Sequence, residues 1–196
     1  THIKNLEELI KKIKSSQSLS QEAEDYLYAI STKKSFAKGE ILIRQGQQVQ
    51  NVYFVTDGCL RSYCYDKNGK EHTLQFAIKN WWISDYIAIH SDESATLTVE
   101  CLKESEVVKF NAKDLELMLT LFPEFERFQR KILERHVVSL NKRILNQLQL
   151  TASERYTLFI TQYPEIEQYT HNYHIASYLG ITQESLSRIR VEKAKH

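Results

Sequence analysis

The polar side chains best suited to chemistry at a surface lie near the end of the chain, in the stretch HIASYLGITQESLSRIR at residues 174–190. Its apolar residues are spaced as on two short helices: Ile175, Leu179, Ile181, Leu186 and Ile189. Gly180 can take the left-handed backbone conformation that ends the first helix, and the Thr182 hydroxyl can cap the second. The pattern predicts a tight helical pair of the helix-turn-helix kind.

The second of these helices leaves a set of polar residues outside its apolar positions: Gln183, Glu184, Ser187 and Arg188. The amino-terminal end of such a helix enters the major groove when it reads DNA. There an arginine grips guanine with two hydrogen bonds, a glutamate accepts from cytosine, and a glutamine pairs with adenine. The residues suited to bind backbone phosphates are Thr182, Arg190, Lys193 and Lys195. The same apolar spacing also suits a helical hairpin that does not bind DNA.

The overall charge does not by itself indicate a nucleic-acid partner, because the formal net charge over 196 residues is only +1. Basic residues concentrate after Ser187, where four of them stand against the single Glu192. Hydrophobic residues make up 42% and charged residues 26% of the chain, as in an ordinary globular protein. Nucleic-acid binding must therefore depend on where the charges lie.

The cysteines and the apolar runs indicate a cellular setting. Cys59, Cys64 and Cys101 are too few for a disulfide framework and form no C-x-x-C pair. No apolar run reaches the roughly 20 residues that cross a bilayer, and the first residues, THIKNLEELIKKIK, lack the apolar core of a signal peptide. A reduced, cytoplasmic setting without a membrane partner is expected.

Short β-branched or aromatic runs between Lys34 and Phe110 predict strands, among them EILIRQG, NVYFVTDG and LRSYCYD. The sequence DKNG at residues 66–69 predicts a hairpin turn, because Asn68 and Gly69 both tolerate a positive φ. Many short strands at this spacing indicate an antiparallel sandwich, roll or barrel. Helical patterns flank the block on both sides, so the predicted fold class is α+β.

A long helix is predicted after the β-rich block, since no Gly or Pro interrupts residues 124–150. An apolar stripe steps along it by three or four residues: Leu133, Val137, Leu140, Ile144 and Leu148. A helix with one narrow seam either packs along its own domain or pairs with a second copy of itself, and the spacing favours the pair.

Several segments together resemble the bacterial Crp/Fnr superfamily of transcription regulators over nearly the full chain: FAKGEILIRQGQQVQNVYFVTDGCLR, the long helix, SERY and IASYLGITQESLSRIR. The resemblance implies a jelly-roll sensor domain, of the type that binds cyclic nucleotides, over residues 1–110. It implies a dimerisation helix over residues 111–149 and a helix-turn-helix domain over residues 150–196. It also implies a homodimer that reads a palindromic site in double-stranded DNA, with Gln183, Glu184 and Arg188 as base-reading residues and RNA polymerase as a further partner.

The effector pocket that the resemblance implies is degenerate in this sequence. Members that bind cyclic AMP carry a Phe-Gly-Glu run and, later, an arginine followed by a small hydroxylated residue. Here WWISDYIAIH lacks that glycine, and Glu93 and Ser94 align with the last two positions. Because a carboxylate repels a cyclic phosphate, we expect no cyclic AMP binding and predict no other cofactor. The candidate pocket residues are Trp82, Ser84, Asp85, Glu93 and Ser94.

Two other functions are compatible with a β-rich block. The first is a cupin-like enzyme, but His72 and His90 stand alone rather than one residue apart on a strand, as two facing metal ligands require. His171 and His174 border the helical pair. We predict no metal site, no catalytic residue and no enzyme. The second is a ligand-binding scaffold that keeps the fold without reading DNA.

Overall fold

The computed structural model describes residues 3–194, apart from the side chains of residues 3–5. The helices are α1 (Ile3–Lys14), α2 (Gln21–Ile30), α3 (Tyr86–Ser91), α4 (Ala112–Leu121), α5 (Pro123–Gln149), α6 (Ala152–Gln162), α7 (Asn172–Leu179) and α8 (Gln183–Lys193), with a short 3₁₀ helix at Ile166–Gln168. The strands are β1 (Ser31–Phe36), β2 (Ile41–Ile43), β3 (Asn51–Asp57), β4 (Cys59–Tyr65), β5 (Glu71–Ile78), β6 (Trp82–Ile83), β7 (Thr98–Cys101) and β8 (Ser105–Asn111).

The strands form two four-stranded sheets, ordered β1-β8-β3-β6 and β2-β7-β4-β5. The paired strands with a described register run antiparallel, and Phe110 of β8 faces Ser31 of β1 on one side and Val52 of β3 on the other. The chain passes repeatedly from one sheet to the other, as it does in a β-roll. The α+β fold with an antiparallel β-roll and a long helix is therefore confirmed.

The described residues form two compact units. The first holds the chain up to Ser62 together with Phe76–Glu134, and the second holds Tyr63–Gln75 together with the chain from Arg135 onward. These limits follow contacts, so they differ from the domain limits 1–110, 111–149 and 150–196 expected from the sequence. Those limits stay a prediction.

The core of the first unit joins one sheet to several helices. Phe54, Val108 and Phe110 pack with fully or nearly fully buried side chains from α1, α2, α4 and α5. Those helical residues are Leu6, Leu9, Ile10, Ile13, Ala23, Leu27, Met118, Phe125 and Phe128. The apolar side of α1 thus lies in the core.

Polar side chains cap several helices, and the Thr182 cap is predicted from the sequence. The Ser20, Thr151 and Thr182 hydroxyls and the Asn111 amide oxygen each accept a backbone N–H at the start of their helices. Thr151 forms a full capping box with Glu154. Such caps satisfy amide groups that a helix cannot pair internally.

The predicted hairpin between β4 and β5 is present, but its turn is longer than two residues. Gly69 has a positive φ of 76°, whereas Asn68 does not. An Asp66 carboxylate oxygen accepts hydrogen bonds from the amides of Asn68 and Lys70 instead. The aspartate therefore organises this turn together with Gly69.

In the described part of the chain, no helix is both long and apolar enough to cross a membrane.

Substitutions at two separate glycines of the first unit test how tightly the roll is packed. A Cβ at Gly58, where φ is +103°, would lie 2.6 Å from the Ser105 Cα, whereas a Cβ at Gly39, where φ is +85°, would meet nothing within 4 Å. We expect Gly58→Ala to lower the free energy of unfolding by about 3 kcal/mol, because strain and overlap add. Gly39→Ala costs about 1 kcal/mol through backbone strain alone.

Urea denaturation of the two variants measures this difference. Equal losses would show that the Gly58 turn relaxes freely.

Candidate nucleic-acid interface

Helices α7 and α8 form the predicted helical pair. Gly180 adopts the left-handed conformation, with φ 68° and ψ 34°, directly after α7. Two backbone hydrogen bonds close the turn, from the Ile181 amide to the Ala176 carbonyl (3.0 Å) and from the Gly180 amide to the Ser177 carbonyl (3.2 Å). The Thr182 hydroxyl then accepts from the Ser185 amide at 3.2 Å. Both turn residues do what their types predict.

Helix α8 buries its apolar residues and exposes the polar ones singled out from the sequence. Leu186 and Ile189 are 0% and 7% exposed. The exposed residues include Thr182, Gln183, Glu184, Ser187 and Arg188. The first turns of α8 therefore present an amide, a carboxylate, a hydroxyl and a guanidinium on its outer side.

The Glu184 carboxylate is held in its charged form. Its own backbone amide, the Thr182 hydroxyl and the positive charge of Arg188 lower the pKa of this group below its usual value. A charged carboxylate only accepts hydrogen bonds. Glu184 can thus recognise a donor such as the amino group of cytosine.

Arg190 takes part in a network that sequence reasoning missed. Its Nε donates to the Glu167 carboxylate at 2.9 Å, and its Nη1 donates to the Asn172 side chain at 2.6 Å. The Tyr156 hydroxyl donates to the same carboxylate at 2.8 Å. Arg190 thus ties α8 to α6, to α7 and to the 3₁₀ helix, and its role as a phosphate contact stays a prediction.

The apolar row predicted along α5, which we call the α5 stripe, is exposed to solvent. Leu133, Val137, Leu140, Ile144 and Leu148 are 50%, 55%, 45%, 58% and 77% exposed, respectively. Exposed apolar residues in a continuous row are typical of an interaction surface.

The candidate effector residues have different environments. Trp82 packs against Phe54 and Phe110, with ring centroids 5.1 and 5.6 Å away. The Ser84 hydroxyl is buried and donates to the Asn51 carbonyl at 2.8 Å. Glu93 and Ser94 are exposed.

Asp85 is fully buried, and its carboxylate is already occupied. One oxygen accepts from the Ala88 amide at 3.1 Å, which caps α3. The other accepts from the Thr96 amide (2.6 Å), the Thr96 hydroxyl (2.9 Å) and the Leu97 amide (3.1 Å). Asp85 joins α3 to the segment that leads into β7, a role that the sequence did not reveal.

The first unit also contains a cleft of about 590 Å³ beside α3 and α4. Trp82, Tyr86 and Phe125 line it, and burial raises the pKa of the Tyr86 phenol well above its ordinary value. Of the candidate effector residues, Trp82 contributes to this cleft, whereas Ser84, Asp85, Glu93 and Ser94 do not. Their assignment to one pocket stays a prediction.

Within residues 3–194 no group of three or more His, Cys, Asp or Glu side chains could hold a metal ion. The His72 Nε2 lies 3.0 Å from an Asp66 carboxylate oxygen, and the His174 Nδ1 lies 3.1 Å from a Glu71 carboxylate oxygen. These histidines are engaged in pairs.

Part of this chain matches a known domain family, and the chain is similar in sequence to known regulators. Residues 33–120 match the family model of the cyclic nucleotide-binding domain. The transcriptional activator protein FnrA of Stutzerimonas stutzeri is 24% identical over 163 residues, and Electron transport regulator A of Shewanella oneidensis is 26% identical over 172 residues. These alignments cover 78% and 82% of this chain, and 66% and 68% of the relatives. The match to FnrA thus spans a little less than two thirds of that protein.

The fold is similar to that of the solved structure of FixK2 from Bradyrhizobium japonicum. The TM-score is 0.72 at 20% identity, with 85% of each chain covered.

The residues present do not fit a cyclic nucleotide. Residues 84–95 contain no Lys or Arg, and three carboxylates lie among them, on Asp85, Asp92 and Glu93. If a cyclic phosphate binds beside Glu93, as the resemblance implies, the exposed carboxylate would repel it. Asp85 is fully occupied by hydrogen bonds from the protein.

The role of Asp85 is tested by Asp85→Ala, with Glu93→Ala as the matched control in the same segment. The first substitution leaves buried amide donors without their charged acceptor, so we expect it to cost about 3 kcal/mol of unfolding free energy. The second removes an exposed carboxylate and should change stability by less than about 0.5 kcal/mol.

Urea denaturation reads both values. A loss at Asp85 no larger than at Glu93 would contradict the structural role.

Proposed function

Since residues 33–120 match the cyclic nucleotide-binding domain and a relative of similar sequence is a transcriptional activator, we propose that this chain is a DNA-binding transcription regulator of the Crp/Fnr type that acts as a homodimer. The observation that carries the proposal is the outer side of α8. Its polar residues are exposed, while Leu186 and Ile189 hold the helix to the unit from within.

Three side chains in this proposal read bases. Arg188 binds guanine with two hydrogen bonds, Glu184 accepts from cytosine and Gln183 pairs with adenine. Their exposure supports these roles, because a recognition side chain must be open to solvent in order to reach a base edge.

Backbone phosphates are bound beside these contacts. Thr182 and Lys193 are exposed and suited to this task, and Ser187 lies next to Arg188 on the outer side. Arg190 could contribute once its pairing with Glu167 rearranges. Lys195, also predicted for this role, lies outside the described residues.

A second copy of this chain is the partner proposed for the α5 stripe. Apolar residues repeating at intervals of three and four along one helix suit a two-stranded seam. Pairing across it would bury side chains that are otherwise about half exposed or more. A two-fold pair then offers two recognition helices to a palindromic site.

The remaining partners follow from this role. A transcription regulator works in the cytoplasm on double-stranded DNA and meets RNA polymerase, with no need for a membrane. We propose that cyclic AMP does not control it, because Glu93 and the carboxylates near it disfavour the phosphate.

An alternative is a scaffold that retains the fold without binding DNA, and a cupin-like enzyme is a second. Gel-shift titration of a fragment from upstream of the gene separates them. A regulator shows an affinity that falls steeply with salt, whereas a scaffold shows no shift at low salt. Bound iron or nickel in the purified protein would favour the enzyme.

Arg188→Ala tests base reading directly. We expect a loss of roughly 1–3 kcal/mol in binding to the preferred site and relaxed choice at one base position. Competition binding against all four bases at each position measures it. Arg127→Ala removes an exposed arginine from the first unit and serves as the control. Equal weakening on every sequence would reassign Arg188 to the DNA backbone.

Ile144→Glu tests the α5 stripe. A glutamate in the middle of an apolar seam must be buried without a partner, so we expect the dimer dissociation constant to rise roughly 100-fold. Ser139→Glu places the same charge about 140° away around the helix and should leave dimerisation unchanged. Sedimentation equilibrium reads both. An Ile144→Glu protein that stays dimeric like the wild type would place the interface elsewhere.

A further inference from the structure

Side chains from two other helices hold the carboxyl end of α7. The Arg143 Nη2 donates to the Tyr178 carbonyl at 3.3 Å. The Gln147 Nε2 and the Arg155 Nη2 donate to the Leu179 carbonyl at 3.4 and 3.3 Å. The last carbonyls of a helix have no partner within it, and positive charge is favourable at this end. Donors from α5 and α6 therefore fix the end of α7.

Arg143 reaches a third element, the hairpin between β4 and β5. Its Nη2 donates to the Thr73 carbonyl at 3.1 Å, and its Nη1 donates to the Leu74 carbonyl. Its guanidinium carbon lies 4.1 Å from the centroid of the Tyr178 ring. The planar fork of an arginine suits such a bridge, because its donors are held in a rigid plane that also stacks on aromatic rings.

The same hairpin contacts the side of α7. The Ser177 hydroxyl accepts from the Thr73 amide at 2.8 Å and donates to the Glu71 carbonyl at 2.9 Å. The Glu71 carboxylate lies 3.1 Å from the His174 Nδ1, and these two side chains are 5% and 14% exposed. Helix α7 is thus held along one side by the hairpin and at its end by Arg143.

The direction of α7 determines the direction of α8, because the turn from Gly180 to Thr182 is all that separates them. Arg143 also stands next to Ile144 of the α5 stripe in the sequence. One side chain therefore connects the proposed dimer helix with the helical pair proposed to read DNA.

We propose that Arg143 is a positioning residue, which fixes the direction of the recognition helix relative to α5 and so sets the half-site spacing that the dimer accepts. The inference rests on the proposed function.

Arg143→Lys and Arg143→Gln distinguish positioning from phosphate binding. Lysine keeps the charge but cannot hold the hairpin and the end of α7 at once. Lys142→Gln is the matched control, since it removes a neighbouring exposed cation. The probes are duplexes with two copies of the half-site selected by the wild type, at the preferred spacing and at spacings changed by one or two base pairs, and a duplex with one half-site.

We expect both Arg143 variants to lose the preference for the correct spacing by roughly tenfold, in line with the loss of a charged hydrogen-bond donor. Their affinity for the single half-site and its salt dependence should stay as in the wild type and in Lys142→Gln. A phosphate contact gives a different result: Arg143→Lys restores binding, Arg143→Gln weakens the single half-site, and the salt slope falls by about 1. That outcome would overturn the inference.

Amide hydrogen exchange separates a failure of this inference from a failure of the proposed function. Without any DNA, both Arg143 variants should exchange roughly tenfold faster at residues 71–75 and 178–182, because a charged donor has been lost there. Protection in the rest of the protein should not change. If the wild type binds no DNA, the proposed function fails, and unchanged exchange at these residues would separately refute the positioning role.

Discussion

The second unit depends on one requirement: the carbonyl oxygens at the end of α7 need donors from outside the helix. A helix cannot supply them, and at the Tyr178 and Leu179 carbonyls they come from Arg143, Gln147 and Arg155. A Cβ at Gly180 would lie 3.4 Å from the Gln147 side chain, in van der Waals contact, so the left-handed turn and the donors are close neighbours. The direction in which the chain leaves α7 follows from this arrangement.

Pairing of buried polar groups also organises the first unit around Asp85. Asp85 lies at the start of α3, and backbone amides and a hydroxyl occupy both of its oxygens. A carboxylate used in this way stabilises the loop, and its oxygens already accept hydrogen bonds from the protein rather than from a ligand. Glu93 lies exposed in the same segment.

Features set by neighbouring residues could be predicted from the sequence. The cap at Thr182 and the turn at Gly180 each depend on one residue type and the few residues beside it. The exposed side of α8 follows from helical periodicity.

Pairings between distant residues could not be predicted in this way. Glu167 with Arg190, and Thr73 with Arg143, depend on how separate elements pack. From the sequence, Arg190 is expected to bind a DNA phosphate, and nothing marks Arg143 as a partner of Thr73. The Asn68-Gly69 turn shows the same limit at short range, because the position of Asp66 decided its form.

Selection of binding sites from random DNA by the purified protein tests the central claim most directly. The account predicts enrichment of a palindromic sequence whose two half-sites lie about one helical turn apart, because two copies of α8 face the duplex together. Recovery of no enriched sequence, or of one unrepeated motif bound by a single chain, would contradict it.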